Sequence, residues 1–138
     1  MNTSPKPASD KGSRAAVTTL AAVLSVEAAL VLAATVATVG QFVTHGAHVE
    51  ADGIAFIIVL VIGFLWVGLA ATGMWLRTRW SRGLTIVWQL MQLAAGVGAL
   101  QGLLGTPPVG VVLLVLGLVG FVLVILPGVT QALRGDRA

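Results

Sequence analysis

Arg77-Thr78-Arg79-Trp80-Ser81-Arg82 is a short basic turn between two long apolar runs, and its position decides how the rest of the chain is read. Each flanking run is long enough to cross a hydrocarbon core of about 30 Å, which takes about 20 helical residues at a rise of about 1.5 Å. The other basic residues keep the same register. Lys6, Lys11 and Arg14 precede the first of four apolar runs, Arg134 and Arg137 follow the last, and the two remaining connections hold neither Lys nor Arg. All eight basic residues thus lie on one side of the runs. This is the pattern of a multi-pass membrane protein with both termini in the cytoplasm.

Spans are expected at 16–40, 54–76, 84–104 and 109–133. Each must be helical, because lipid offers no partner to an open strand whereas a helix pairs its backbone groups internally. Short connections make neighbouring spans antiparallel. The expected fold is therefore all-α, a four-transmembrane-helix bundle of up-down-up-down topology. The first run is too long for the apolar region of a secretory signal and carries Glu27 at its centre, so it reads as an uncleaved helix. Residues 1–14, with Pro5, Pro7 and Gly12, are expected to form a disordered cytoplasmic tail before a single membrane domain over 15–134. Residues 135–138 form a second cytoplasmic tail. Pro127 should kink the last span. Trp75 and Trp80 flank the basic turn at the depth where indoles anchor in the interface, together with Arg77, Arg79 and Arg82.

Composition narrows function more by exclusion than by assignment. A hydrophobic fraction of 57% with 9% charged residues does not fit a soluble domain. The net charge of +3 is explained by span orientation, and without a long basic stripe or stacking platform no nucleic-acid partner is expected. There is no cysteine, and hence neither a disulfide framework nor a thiolate metal site. Acidic residues are few and scattered, with no nucleophile arrangement or phosphate loop, so the chain does not read as an enzyme and no cofactor is expected.

Glu27 is the most unusual side chain. It lies thirteen residues after Arg14, or about 20 Å along the helix, near the middle of the membrane. An ionised carboxylate there is costly unless paired or hydrated, so an intramembrane acid marks a candidate functional site. The alternative is a protonated Glu serving as polar glue between helices. Thr85, Gln89, Gln92, Gly96 and Ala99 recur at spacings of four and three and so share one helical stripe, an interhelical face of small and amide residues. Gln92 is expected within about a turn of Glu27 in depth, where the two can meet, and Gln89 lies on the same face. Gly63, Gly96, Gly117 and Gly120 supply small residues for helix packing near this level. The external loop His45-Gly-Ala-His-Val-Glu-Ala-Asp52 places His45, His48 and Asp52 on one face if helical. It matches no specific metal motif, so these three are weak metal candidates beside a simply solvated loop.

Two families resemble this chain. Four spans with one glutamate in the first, Glu27, resemble the small multidrug resistance exporters, and that likeness implies exchange of protons for cationic substrates at the acid. The chain departs from them in lacking tyrosine, with Trp66 and Trp88 the nearest aromatic candidates, and in its longer external loop. More of the chain is covered by the second likeness. The stretch Arg79-Trp-Ser-Arg-Gly-Leu-Thr-Ile-Val-Trp-Gln-Leu90, the preference for Arg over Lys and the Leu126-Pro127 step resemble uncharacterised small four-span integral membrane proteins of actinobacterial type. That resemblance implies a bundle and a bacterial plasma-membrane location, with no activity attached. The expected role is non-enzymatic, structural or accessory. Its partners are the lipid bilayer and another membrane protein or a second copy of the chain. The alternative is a proton-coupled small-molecule or cation transporter using Glu27.

Overall fold

The computed structural model describes residues 7–45, 51–103 and 106–134. Five helices run through them: α1 (Pro7–His45), α2 (Ala51–Trp75), α3 (Ser81–Leu100), α4 (Pro107–Ile125) and α5 (Pro127–Arg134). The fold is all-α, and α1 to α4 are each long and apolar enough to cross a membrane. They form a ring in which α1 packs on α2, α2 on α3, α3 on α4 and α4 on α1. This is the order that short connections impose on an up-down bundle. Across the α1/α3 diagonal, no described Cα pair comes within 8 Å. Only side chains reach through the centre.

The ends of the helices follow local chemistry. α4 starts at Pro107 and Pro108, whose missing N–H groups fall where a helix has no acceptor for them anyway. α2 closes with Arg77 in the left-handed region at φ 55°, while Thr78 N–H donates to Gly73 O at 2.9 Å and Arg77 N–H to Met74 O at 3.1 Å. These paired bonds form a Schellman cap with Arg at the position glycine favours. Strain from the Arg77 Cβ is therefore built into the turn.

Two boundaries differ from expectation. The first helix begins at Pro7, so residues 7–14 are helical rather than part of a disordered tail, and residues 1–6 and 135–138 lie outside the described residues. At the end of this segment α1 meets α5: Ser13 is buried, and a Cβ placed on Gly128 would lie 3.6 Å from the Ser13 Cα. The final span, expected as one kinked helix over 109–133, is broken. Leu126 stands at φ −56°, ψ 137°, the extended conformation that a following proline imposes, and α5 starts afresh at Pro127. α5 then lays Val129 and Leu133 into the main apolar core with Val17, Leu20 and Leu24 of α1, Val67, Ala70 and Met74 of α2, and Val124 of α4. No single-sequence pattern specifies that docking.

The α3/α4 pair is held closely by glycine. A Cβ on Gly110 would meet Gly96 O and Leu100 N at 2.8 Å, so the two backbones touch where α3 ends and α4 begins. α1, with 39 residues, is about 58 Å long and outruns the hydrocarbon core. At its far end the Phe42 ring covers Gly53 of α2.

Candidate functional site

The centre of the bundle is crossed by one polar cluster. Glu27 is only 2% exposed although it sits in a span, and its partners come from α3, the helix diagonally opposite. Trp88 donates its indole N–H to Glu27 Oε2 at 2.9 Å. Gln89 donates its side-chain amide to the same oxygen at 3.2 Å and to Oε1 at 3.5 Å. Because the backbones of α1 and α3 stand apart, only side chains of this length close the gap.

The stripe read from the sequence is the buried face of α3. Thr85, Gln89, Gln92, Gly96 and Ala99 are all buried, joined by Ser81 and Gly98. The hydroxyls within it turn back on their own chain, Thr85 donating to Ser81 O at 2.8 Å and Ser81 to Thr78 O at 2.6 Å. The amides face inward. Gln92 donates its amide to Leu113 O on α4 at 3.3 Å, while Gln89 supplies the amide hydrogen bonds to the carboxylate. Two amide oxygens, Gln89 Oε1 and Gln92 Oε1, are buried with no hydrogen-bond partner.

Each glycine expected near this level has a definite neighbour. A Cβ on Gly120 would fall onto the Gln89 amide, and one on Gly117 would lie 3.1 Å from Leu93 and 3.5 Å from Gln92 Cγ. Gly63 of α2 faces the Trp88 ring at 3.5 Å. Gly96 opposes Leu114, 2.8 Å from its Cγ. Three of these four glycines thus seat residues of the polar cluster or their immediate neighbour.

Trp88 is the partner that spacing did not single out, because it lies one residue off the stripe. Its signal was available in another form: an indole in the interior of a span carries an N–H that must find an acceptor. Trp66 and Trp75 follow the same logic. Trp66 donates to Leu84 O at 3.2 Å, joining α2 to α3. Trp75, expected as an interfacial anchor, also donates to Ser25 Oγ at 3.1 Å and so ties α2 to α1 while its ring remains exposed. Trp80, Arg77 and Arg79 are exposed at the same turn, and Arg82 is half-buried.

Chemically, the cluster accepts either protonation state of Glu27. As an anion it receives two N–H donors and has no described cation beside it. As an acid it needs an acceptor for its O–H, and half a turn of the Gln89 amide would bring Oε1 to the place where Nε2 now stands. Among the described residues, no group of three His, Asp or Glu side chains gathers to hold a metal. His48 and the side chains of His45 and Asp52 lie outside the described residues.

No family model, curated protein or solved structure matches the chain.

Proposed function

We propose that the chain is a multi-pass protein of the bacterial plasma membrane, with both termini cytoplasmic, that serves a non-enzymatic structural or accessory role. The observation that carries this reading is the engagement of Glu27 by fixed donors across the bundle diagonal. A carboxylate committed to an indole and an amide, with glycines seating those partners, is arranged to hold helices together. The one-sided basic residues support the orientation, and the Arg-rich stretch from Arg79 supports likeness to small actinobacterial membrane proteins. Partners are the bilayer and another membrane protein or a second copy.

A proton-coupled transporter is the second reading. It is favoured by the two unpartnered amide oxygens, which leave acceptor capacity beside an acid with no described cation next to it. Replacing Glu27 by Gln separates the two. In the structural reading the Glu27→Gln protein folds, keeps any stoichiometric partner recovered in mild detergent, and matches the wild type in vesicles. Proton-driven uptake of a cationic dye by wild-type vesicles, abolished by Glu27→Gln, would replace the structural reading with transport.

A further inference from the structure

The break at Leu126 has a second effect, at the basic end of the bundle. It turns α5 so that Thr130, Leu133 and Arg134 face Arg79 and Arg82 across a cleft of about 170 Å³. Three guanidinium groups from two separate segments line this cleft. No described carboxylate pairs with Arg79, Arg82 or Arg134, and Arg82 Nε is buried with no acceptor. Like charges gathered around one space repel, and an anion placed among them relieves that repulsion.

We propose that this cleft binds a phosphate group, held by Arg79, Arg82 and Arg134. Guanidinium is the side chain best matched to phosphate, because its planar fork donates two parallel charge-assisted hydrogen bonds. The volume suits the ligand. At about 30 Å³ per water the cleft holds the equivalent of about five or six waters, room for a phosphate and part of its shell. Thr130 adds a hydroxyl at the wall, and Leu133 adds apolar surface. Charge on the turn alone does not make the site, because Arg77 lies on the same turn and does not line the cleft. The site is completed by Arg134, fifty-two residues beyond Arg82 along the chain, once α5 docks on α1.

The phosphate could belong to a lipid headgroup or be free in solution, and two arms distinguish them. In the first, the full chain in a neutral detergent is titrated with inorganic phosphate while its thermal unfolding is followed. In the second, the chain is placed in phosphatidylcholine nanodiscs with and without phosphatidylglycerol, and retained lipid is counted by native mass spectrometry. The key variant is Arg134→Gln, an exposed position whose replacement leaves the core intact; Arg82→Gln is its companion and Arg77→Gln the control. Arg134→Gln is expected to weaken binding about tenfold or more, the loss of a charge-assisted bond, while Arg77→Gln changes it little. General attraction to an anionic surface would instead cost about fivefold per basic residue, whichever residue is removed. Binding in the phosphate arm identifies a soluble ligand, and retention only of phosphatidylglycerol identifies a headgroup; either supports the site if Arg134→Gln weakens it selectively. Equal losses from Arg77→Gln and Arg134→Gln, or no binding in either arm, overturn the proposal.

Discussion

Truncating Glu27 to Ala removes the acceptor that two α3 side chains share. Trp88 Nε1 and Gln89 Nε2 would then point into the bundle centre with nothing to receive them. Interhelical hydrogen bonds in membranes are worth about 0.6 kcal/mol on average and about 1.7 at most, because the unfolded state in lipid also finds partners. Two such bonds give about 1–3 kcal/mol. Loss of packing around the vanished side chain adds about 1–2 kcal/mol, so Glu27→Ala should destabilise by about 2–5 kcal/mol in all. Glu27→Gln keeps an oxygen for Trp88 and presents an N–H₂ to the unpartnered Gln89 Oε1, so its effect should stay within about 1 kcal/mol. The assay is unfolding in mixed micelles against increasing SDS, followed by circular dichroism and by tryptophan fluorescence, to which Trp88 contributes alongside Trp66, Trp75 and Trp80. Equal stability of Glu27→Ala and wild type would refute the reasoning. So would a Glu27→Gln variant as unstable as Glu27→Ala, since the carboxylate itself would then be indispensable.

Three further outcomes follow from the geometry. Gly120→Ala drives a Cβ into the Gln89 amide and should cost about 1–3 kcal/mol, whereas Gly68→Ala, with nothing within 4 Å, should be neutral or slightly stabilising in the same SDS titration. Arg77→Gly relieves a left-handed non-glycine residue at the end of α2 and should stabilise by about 1 kcal/mol, read as a higher midpoint of thermal unfolding in detergent. Pro127→Ala frees Leu126 to become helical, which redirects α5 away from α1, and hydrogen exchange at Val129 and Leu133 should accelerate while exchange in α3 stays unchanged.

The spans were legible because the bilayer makes a demand that length and composition either meet or fail. Their ends were less so. Pro127 announces an interruption, but whether the chain kinks or breaks depends on what the next segment can dock against. Here Val129 and Leu133 join the core beside Val17, Leu20 and Leu24 of α1, and Gly128 approaches Ser13. Counting residues from Arg14 and Arg82 sets Gln92 within about a turn of Glu27, with Gln89 on the same face, and the amide that donates to the carboxylate is Gln89, three residues nearer the basic turn. A shift of three residues is about 4.5 Å along a helix, less than such depth counting resolves. The stripe on α3 fared better, because a periodic pattern is a statement about one face and does not depend on depth. Trp88 escaped that pattern by standing beside it.

Small residues in a membrane helix are usually read as places where two backbones meet, and the glycines here divide into two kinds. Gly96 and Gly110 fit that reading, since the Cβ at Gly110 would strike backbone atoms of α3. Gly120 does not: its missing Cβ leaves room for the Gln89 amide, whereas a Cβ on Gly63 would rest in ordinary contact with the Trp88 ring at 3.5 Å. The difference follows from the diagonal. Glu27 and Gln89 have to meet across a diagonal on which no described Cα pair comes within 8 Å, and the Gln89 amide needs space from the helix beside it. A substitution at Gly110 therefore parts two helices, whereas one at Gly120 displaces Gln89 and strips Glu27 of a donor without moving either backbone. Paired with Glu27→Ala, Gly120→Ala should be less than additive, because both act on the same hydrogen bond. At Gly110 the two effects should simply add.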